Sequence, residues 1–561
     1  MPKMSGARFL AEFLERSEVS HLFGVPAVCR QTMRELERHN RVARILTHSE
    51  KAAVYMADGY ARASGRPGVC LAQKVGASNM AAGLRDPFLA CTPLVAITGG
   101  ATWETQNRHT YQQVEDLGAF AAVTKYTARV ERVERLPDVL RQAFRAATSG
   151  TPGPVHIDLA GHQGNVELEE ADLEVLEEAR FQALPPFRPV AEAGALRAAA
   201  AELEAAERPI IVAGGGVRAA AAAAELVALA ERLSIPVATS MNAKEVIPGN
   251  HPLGVGVVGS YSRESANRAV LEADLVFFVG SHTGSQVTGD WRLPRPGTAV
   301  VQLDINGEEL GRHYPNRVSL MGDAKATLAA LLEIVDGASA ARRRPWTERV
   351  QALVGAWREA FAPRLSSDAV PIRPERICHE LTAWLPADAI LVADTGHAGM
   401  WSGGFIDLNY AGQGFLRAAG SLGWGVPAAI GAKLAAPERP VVLFTGDGGF
   451  RYHCAELETA VRWNVPVVVI VNNNRSLNQG IGKEMAARDG RLEGRHAEVW
   501  RFGDTDLAGL AQSLGAVGLR VEKPGELSAA FDQALGAGRP AVIDVVSDMF
   551  AEAPLAYLGE A

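Results

Sequence analysis

Two groups of polar residues follow neighbouring apolar runs of the sequence, and their residue types could hold a metal ion. Asp447 lies between Gly446 and Gly448 after the run RPVVLFT, and three asparagines at 472–474 follow the run VPVVVIV. A carboxylate, an amide oxygen and backbone carbonyls are oxygen ligands that suit magnesium or calcium, and magnesium also takes phosphate oxygens. The glycines let backbone amides approach an anionic ligand. The sequence therefore predicts a metal that bridges the protein to a diphosphate, with a simple Gly-Asp turn and a helix-capping asparagine as the alternative.

The elements around these two groups should place them side by side. Each apolar run has the composition of a buried parallel strand, and the segment CAELETAVRWN between them has helical spacing. Strands joined by a helix in this way lie parallel in one sheet, and ligands of such sheets bind beyond the carboxyl ends of the strands. We therefore expect Asp447 and the asparagines to lie on the same edge of one sheet.

The same alternation of strand-like and helical segments recurs in three blocks of similar size. The runs HLFGVP, RPGVCLA and TPLVAITG belong to the first block, RPIIVAGGGV and ADLVFFVGS to the second, and DAILVADTG to the third. This pattern predicts an α/β fold of three doubly wound parallel-sheet domains, at residues 1–165, 190–335 and 370–550. The acidic segment at 165–189, which ends in prolines, is predicted to be an exposed linker.

Composition and charge favour small molecules as partners. The chain of 561 residues has 47% hydrophobic residues and a formal net charge of -8, which argues against nucleic acid. No apolar stretch approaches the roughly 20 residues of a membrane-spanning helix, so no membrane partner is expected. The five cysteines are scattered without metal-ligand spacing, and they indicate a reducing compartment such as the cytoplasm.

The two polar groups and their surroundings resemble a known cofactor motif. Asp447 and Asn474 are 27 positions apart (474 − 447), and GDG followed by NN at this spacing resembles the diphosphate motif of thiamine diphosphate-dependent enzymes. The stretch AAGSLGWGVPAAIGAKLAAPERPVVLFTGDGG is similar to the cofactor-binding segment of the acetolactate synthase and benzoylformate decarboxylase-like group. HSEKAAVYMADGYARASGRPGVCLA is similar to its pyrimidine-binding segment, and RPIIVAGGGV to the start of its central domain. The resemblance extends along nearly the whole chain.

This resemblance implies thiamine diphosphate and Mg2+ as cofactors and assigns residues to both. Asp447 and Asn474 would bind the metal through their side chains, and Ser476 through its backbone carbonyl. Leu422 aligns with the bulky apolar residue that lies between the two rings of the cofactor, although its type also fits ordinary core packing. The other residues implied in cofactor binding are Gly396, His397, Met400, Gly420, Gly446, Gly448 and Gly449.

Glu50, in the segment THSEKAA, is the residue that the resemblance implies in activation of the cofactor. In the family a glutamate hydrogen-bonds one nitrogen of the aminopyrimidine ring and favours the tautomer that removes the thiazolium C2 proton. By itself Glu50 could equally be an acid at a helix N-terminus, where the helix dipole favours negative charge. Its position in the pyrimidine-binding segment supports the catalytic role.

The sequence defines the substrate site less well. Gln112 and Gln113 fall where acetolactate synthases carry an aromatic–glutamine pair beside the reacting carbon, although a polar loop has the same composition. His48 and His109 could transfer protons because histidine titrates near neutral pH, or could be surface residues. The segment QKVGASN departs from the family pattern, since Lys74 replaces a small residue, so the family's substrate specificity does not transfer directly.

The central block carries a candidate nucleotide site. Three glycines at 214–216 could bind a diphosphate through backbone amides, or form a tight turn after a strand. Acetolactate synthases bind FAD in this domain with an arginine-rich stretch, whereas His282 and Gln286 stand at the arginine positions here. FAD, an ADP-type ligand and an empty site therefore remain open.

The resemblance implies an enzyme that cleaves or joins carbon–carbon bonds with thiamine diphosphate. The favoured reaction is decarboxylation of a 2-oxo acid such as pyruvate, followed by transfer to a carbonyl acceptor. The alternatives are a lyase that acts on a 1,2-diketone, a 2-hydroxyacyl-CoA or oxalyl-CoA, and a non-catalytic nucleotide-binding regulatory protein of the same fold. Because family members build each cofactor site from two subunits, we expect a homodimer at least and favour a homotetramer.

Overall fold

Three parallel α/β domains follow one another along the chain. A computed structural model describes residues 2–114 and 117–559. Each domain contains a six-stranded sheet with parallel pairing, and a separate two-stranded antiparallel pair lies beside the first domain. The predicted fold class, three doubly wound parallel-sheet domains, is confirmed. Among the described helices, none combines the length and hydropathy needed to cross a bilayer.

The N-terminal domain holds the region around Glu50. Its strands are β1 (Lys3–Ser5), β2 (His21–Gly24), β3 (Ala43–Leu46), β4 (Gly68–Ala72), β5 (Leu94–Gly100), β6 (Tyr126–Val130), β7 (Pro154–Ala160) and β8 (Glu170–Asp172). Its helices are α1 (Gly6–Arg16), α2 (Arg30–His39), α3 (Glu50–Ser64), α4 (Ala77–Leu89), α5 (Leu117–Ala121) and α6 (Leu136–Thr148). Strands β4, β5 and β7 are buried along their whole length, as expected for a sheet covered on both faces.

The central domain contains the three glycines at 214–216, directly after its first strand. Its strands are β9 (Pro209–Ala213), β10 (Val237–Thr239), β11 (Gly254–Val257), β12 (Leu275–Val279), β13 (Ala299–Asp304) and β14 (Val318–Met321). Its helices are α7 (Ala193–Ala205), α8 (Gly215–Ala219), α9 (Ala223–Leu233), α10 (Glu264–Glu272), α11 (Ser285–Thr288) and α12 (Ala324–Ile334). The long helix α13 (Arg344–Leu365) leads from this domain to the next.

The C-terminal domain holds the candidate metal residues at the ends of two of its strands. Its strands are β15 (Ile390–Ala393), β16 (Gly414–Arg417), β17 (Val441–Gly446), β18 (Val468–Asn473), β19 (Val517–Val521) and β20 (Ala541–Val546). Its helices are α14 (Pro374–Trp384), α15 (His397–Phe405), α16 (Gly425–Ala435), α17 (Asp447–His453), α18 (Glu456–Arg462), α19 (Ile481–Ala487), α20 (Leu507–Ser513) and α21 (Leu527–Gly536).

Strand order distinguishes the central domain from the two outer domains. When strands are counted in chain order within each sheet, the N-terminal and C-terminal domains both have the order 2-1-3-4-6-5, and the central domain has 3-2-1-4-5-6. The latter is the order of dinucleotide-binding folds, in which the ligand lies where the strand order reverses. That point falls between β9 and β12, next to the glycines at 214–216.

The two outer domains contact each other through equivalent helices, α3 and α16, each of which follows the second strand of its sheet. A side chain at Gly59 would overlap the carbonyl oxygen of Ala428, and one at Gly431 would overlap that of Met56. The helices therefore approach to backbone contact because both positions are glycine. This contact holds the N-terminal domain against the loop that precedes α16 and carries Leu422.

The segment at 165–189 differs from the exposed linker that its composition predicts. Strand β8 lies within it and pairs with β1, and Leu173 is buried in the core of the N-terminal domain. The buried carboxylate of Glu167 accepts hydrogen bonds from the backbone N–H and the hydroxyl of Thr32, at 2.9 and 2.6 Å. The prediction is wrong for this part because acidic composition alone does not reveal a carboxylate that caps a neighbouring helix.

Candidate functional site

Asp447 begins α17 directly after β17, and its carboxylate is buried without a hydrogen-bond partner. Only 1% of the residue is exposed, and neither carboxylate oxygen accepts a hydrogen bond from any residue at 2–114 or 117–559. Burial raises the pKa of Asp447 to about 7, although the charge of Arg451 and nearby backbone N–H groups, including that of Ser476, act to lower it. A buried carboxylate without partners is unfavourable, so this arrangement is typical of a cation site.

The asparagines lie on the same sheet edge as Asp447, as the strand pattern predicts. Strands β17 and β18 are neighbours, and Gly446 lies opposite Asn472 in their register. The side-chain oxygen of Asn474 accepts hydrogen bonds from the backbone N–H and the hydroxyl of Ser476, at 3.1 and 2.9 Å. This turn brings the peptide of Ser476 beside the amide of Asn474, at the end of the strand next to the one that Asp447 follows.

The other two asparagines have different surroundings. Asn473 donates through Nδ2 to the buried carboxylate of Asp544 at 2.7 Å, which makes it part of the contact between β18 and β20. The side-chain oxygen of Asn472 is buried and accepts no hydrogen bond from the described part of the chain. Asn473 is therefore structural, and Asn472 adds a third buried oxygen without a described partner at this edge, beside the two of Asp447.

The residues at this edge fit a divalent cation. Asp447 has a carboxylate whose oxygens lack partners, which carries the fit. Asn474, whose amide oxygen accepts two hydrogen bonds from Ser476, and the backbone carbonyl of Ser476 would be the neighbouring oxygen ligands. Such hard oxygen ligands suit magnesium, which completes its shell with water and phosphate oxygens. Within residues 2–114 and 117–559, no cluster of three or more His, Cys, Asp or Glu side chains could hold a metal, in keeping with a ligand set that has a single carboxylate. The assignment of these three residues as ligands stays a prediction.

A second buried carboxylate, Asp394, fixes the loop that carries Leu422 and was not predicted from the sequence. It accepts hydrogen bonds from the backbone N–H groups of Gly423 and Gly425, at 3.2 and 3.1 Å, and from the hydroxyl of Thr445 at 3.3 Å. Burial raises the pKa of Asp394 to about 6, and these hydrogen bonds lower it. Its signal in the sequence was DTG after an apolar run, which repeats the GDG pattern one strand away.

The opposite side of the same loop is held by the N-terminal domain. Asp86 accepts hydrogen bonds from the backbone N–H groups of Ala419 and Ser421, at 2.9 and 3.0 Å. Arg62 connects Asp86 to Asp58, with N–O distances of 3.2 and 2.7 Å, and these three side chains are almost completely buried. The loop with Gly420 and Leu422 is thus fixed from both domains, while Leu422 itself is half-buried. No sequence pattern marked these ion pairs.

The segment of Gly396, His397 and Met400 lies at the amino end of α15, after the strand next to β17. The Nδ1 of His397 lies 2.7 Å from the side-chain oxygen of Asn478, and burial lowers the pKa of His397. The sulfur of Met400 accepts a hydrogen bond from Gln479 at 3.6 Å. This segment is therefore joined directly to the loop that follows Asn474, and its place near the cofactor stays a prediction.

Glu50 begins α3 at the carboxyl edge of the N-terminal sheet. Ser49 caps the helix, and the carboxylate of Glu50 is half-buried and accepts a hydrogen bond from Asn79 at 2.9 Å. Within the described chain, no hydrogen bond or ion pair joins Glu50 to Asp447 or to the residues around Asn474. The ring of His48 is exposed and binds Glu458 at 2.9 Å, which favours its reading as a surface residue.

Gln112 and Gln113 line a cavity of about 470 Å³ at the same edge, together with Lys74 and His109. The Nε2 of Gln73 donates to the side-chain oxygen of Gln112 at 2.7 Å, while the side-chain oxygen of Gln113 is buried without a described partner. Lys74 is almost completely buried. The altered loop and the predicted glutamines therefore form one pocket.

The central domain borders a larger cavity, of about 1020 Å³, at the point where its strand order reverses. The glycines at 214–216 and the segment at 280–287 line it, with Arg417 on the side of the C-terminal domain. Arg417 donates to Gln286 at 2.9 Å. His282 lies 3.9 Å from the sulfur of Cys91, and this contact raises the pKa of His282 to about 9.

Comparison with known proteins identifies the family. The models named thiamine pyrophosphate enzyme match in all three domains: the N-terminal TPP binding domain at 4–119, the central domain at 196–331 and the C-terminal TPP binding domain at 394–545. The probable acetolactate synthase large subunit of Methanocaldococcus jannaschii is 33% identical, over 97% of this chain and 92% of the relative. The acetolactate synthase large subunit of Corynebacterium glutamicum is 32% identical, over 97% of this chain and 87% of the relative. The acetolactate synthase isozyme 3 large subunit of Escherichia coli is 29% identical, over 95% of this chain and 93% of the relative. The chain therefore belongs to the family of thiamine pyrophosphate (thiamine diphosphate) enzymes.

Proposed function

We propose that the protein is an acetolactate synthase-like enzyme that uses thiamine diphosphate and Mg2+ to decarboxylate a 2-oxo acid such as pyruvate and to transfer the remaining fragment to a carbonyl acceptor. The observation that carries the proposal is the buried carboxylate of Asp447, whose two oxygens lack partners at the edge where family members bind the metal and diphosphate. A regulatory protein without catalysis would have no reason to keep this unfavourable carboxylate.

The chain supplies a holding group and an activating group for this chemistry. Asp447, Asn474 and Ser476 would hold the metal and, through it, the diphosphate. Bound thiamine diphosphate supplies a nucleophilic carbon and accepts the electron pair that a departing carboxylate leaves behind. Glu50 would hydrogen-bond the pyrimidine ring of the cofactor. The loop that Asp394 fixes would place Leu422 against the cofactor. Gln112 and Gln113 would orient the substrate in their pocket.

Each complete site would need two copies of the chain. Glu50 and Asp447 lie on different domains, and no described hydrogen bond or ion pair joins these two side chains. Large apolar side chains near the glutamine pocket are exposed: Val75 (57%), Trp103 (70%) and Tyr111 (76%). A partner subunit's C-terminal domain would cover this surface. We therefore propose a homodimer as the minimal unit and a homotetramer as the working assembly, to be measured by light scattering.

We also propose a nucleotide ligand for the cavity of the central domain. Its volume of about 1020 Å³ and the glycines at 214–216 favour FAD or an ADP-type ligand over an empty site. A visible spectrum of the purified protein distinguishes FAD from an ADP-type ligand, because an oxidised flavin absorbs at roughly 450 nm and an adenine nucleotide does not. If the denatured protein releases neither flavin nor adenine nucleotide, the proposed nucleotide ligand of the central domain is contradicted.

The function is tested by supplying cofactor and substrates together. Purified protein with Mg2+ and thiamine diphosphate should release CO2 from pyruvate and form 2-hydroxy-2-methyl-3-oxobutanoate when a second pyruvate is the acceptor. Benzoylformate, a 1,2-diketone and oxalyl-CoA serve as competing donors. If the enzyme cleaves one of these donors and not pyruvate, that donor is its substrate. Failure to bind thiamine diphosphate would contradict the whole assignment.

The five cysteines are all unpaired, which supports the expected reducing cytoplasm.

A further inference from the structure

His397 has a defined ring orientation because its hydrogen-bond partner has one. Asn478 is 2% exposed, and its Nδ2 donates to the backbone carbonyls of Met549 and Ala551, at 2.9 and 3.1 Å. With both N–H groups of the amide directed to carbonyl oxygens, the side-chain oxygen of Asn478 faces Nδ1 of His397 at 2.7 Å. An amide oxygen only accepts, so Nδ1 carries the hydrogen.

This pairing leaves Nε2 of His397 as the free position of the ring. In a neutral imidazole with hydrogen on Nδ1, Nε2 has a lone pair and accepts a proton. Burial lowers the pKa of His397, which favours the neutral ring, while the negative charge of Glu552 in the C-terminal tail acts in the opposite direction. No residue at 2–114 or 117–559 hydrogen-bonds to Nε2.

The position of His397 places this acceptor at the candidate site. The residue begins α15, after the strand adjacent to β17, and lies three positions after Asp394, which holds the loop of Leu422. Its partner Asn478 follows Asn474 by four positions in the loop that leaves β18. His397 is therefore joined to the segments on both sides of the predicted diphosphate.

We propose that His397 is a catalytic base of this enzyme, which Asn478 orients so that Nε2 faces the substrate held on the cofactor. This inference rests on the proposed function. It assigns a proton-transfer role to a residue for which the sequence pattern predicts only cofactor contact. A neutral ring could donate to the diphosphate only with its hydrogen on Nε2, and the hydrogen bond from Nδ1 to Asn478 makes that the less favourable tautomer. An imidazolium could donate from both nitrogens, and burial, which lowers the pKa of His397, disfavours that form.

The proton transfer balances without another reactant. After a carbonyl acceptor has joined the substrate carbon, the acceptor oxygen is an alkoxide and the substrate carbon carries a hydroxyl group. Nε2 of His397 would take the hydroxyl proton, and the O–H electron pair would become the second bond of the product carbonyl. The bound cofactor would be the leaving group that accepts the pair released from this carbon. The imidazolium gives the proton to the alkoxide oxygen, and no atom is oxidised or reduced.

Kinetics of three variants test the role. His397→Gln should lower kcat by about 10²–10⁴-fold, the usual contribution of a general base, and should bind thiamine diphosphate within about threefold of wild type. Asn478→Asp places a carboxylate against Nδ1, which raises the pKa of the ring, so the acid limb of the kcat profile should move about one pH unit upward. His39→Gln, an exposed histidine paired with Glu15, is the control and should change nothing.

Two results would overturn the proposal. One is His397→Gln with kcat unchanged or with cofactor binding lost, since either would leave only a structural or binding role. The other is Asn478→Asp with lower kcat but an unmoved acid limb, which would indicate that Asn478 serves only to anchor the tail.

A spectroscopic readout separates this inference from the proposed function. In ¹⁵N-histidine-labelled protein without thiamine diphosphate, the signals lost in His397→Gln identify the ring. Wild type should show a protonated Nδ1 and an unprotonated Nε2 at neutral pH. The opposite tautomer would contradict the proposal even in a fully active enzyme. If the protein shows the expected tautomer but decarboxylates no 2-oxo acid, the pairing of His397 with Asn478 is supported and the proposed function is refuted.

Discussion

The N-terminal and C-terminal domains have the same strand order, yet their carboxyl edges differ in chemistry. In each, the residues directly after the third strand lie at the candidate site: Gln73 and Lys74 follow β4, whereas Asp447 follows β17 and begins α17. The C-terminal edge has a buried carboxylate, Asp447, that lacks partners in the described chain, whereas the carboxylate at the N-terminal edge, Glu50, is hydrogen-bonded and lies beside an amide-lined pocket. One topology thus supplies two edges. Under the proposed function, the C-terminal edge would hold the metal and the diphosphate, and the N-terminal edge would activate the cofactor.

The largest effect should follow loss of the charge at the C-terminal edge. Asp447→Asn keeps the shape of the side chain but removes the metal-binding carboxylate, so Mg2+-dependent affinity for thiamine diphosphate should fall by at least about 100-fold, or about 2.7 kcal/mol. Isothermal titration calorimetry measures the change. Asp504→Asn, an exposed carboxylate that lies 3.5 Å from Arg475, is the matched control. Wild-type affinity in Asp447→Asn would remove the basis for the division between the two edges.

The corresponding change at the N-terminal edge should leave binding intact and reduce turnover. Glu50→Gln preserves the hydrogen bond to Asn79 in outline but not the charge, so kcat should fall by about 10²–10⁴-fold while cofactor affinity changes by no more than about threefold. Steady-state kinetics at saturating cofactor, together with the binding measurement, separate the two quantities. Glu458→Gln, an exposed glutamate near the same helix end, should behave as wild type. Equal losses of affinity in the Glu50 and Asp447 variants would mean that the edges do not divide these tasks.

The sequence predicted the fold through its buried strands and missed mainly the outer ones. The long apolar runs that end at Gly446 and Asn473 became central strands, because a strand covered on both faces needs apolar residues throughout. Within the three six-stranded sheets, the five strands without a predicted counterpart, β6, β11, β14, β16 and β19, all lie at sheet edges. An edge strand is partly exposed and tolerates residues such as those of YTARV or VGLRV, which carry no clear pattern.

The candidate site was predictable where a short motif carries it and not where distant residues meet. Asp447 and Asn474 stand at a fixed spacing beside their own strands, and strand pairing alone brings them to one edge. Asp394, Asp86 and Asn478 act through hydrogen bonds to backbone groups far along the chain. Asp394 follows an apolar run in the motif DTG, which is a local signal, whereas the contacts of Asp86 and Asn478 depend on tertiary structure and have no such signal.

A smaller effect is expected in the pocket of the N-terminal edge. The side-chain oxygen of Gln113 is buried without a described partner, so a hydrogen bond to substrate or to an ordered water is the natural use for it. Gln113→Ala should raise KM for the 2-oxo acid by about tenfold, equivalent to about 1.4 kcal/mol, with cofactor affinity unchanged. Gln142→Ala, which removes a glutamine bonded to Tyr126, is the control. An altered cofactor affinity in Gln113→Ala would place this residue with the C-terminal edge instead.

The smallest effect concerns the stability of the protein without ligands. The ordinary pKa of an aspartate is 3.8, and burial raises that of Asp447 to about 7, so the folded state binds this proton more tightly than the unfolded state. The contribution to stability is therefore full below about pH 4, falls as pH rises towards 7 and stays low above it. Asp447→Asn has no such titration. Its unfolding temperature in EDTA should therefore exceed that of wild type by several degrees at pH 8 and by less at pH 5. The conversion is roughly 2–4 °C per kcal/mol for a domain of this size. Differential scanning calorimetry at both pH values measures the difference. Glu50, which has a hydrogen-bond partner, gives the contrast. Glu50→Gln should show no comparable gain in unfolding temperature at pH 8. A gain of equal size would mean that the carboxylates at the two edges destabilise the protein equally.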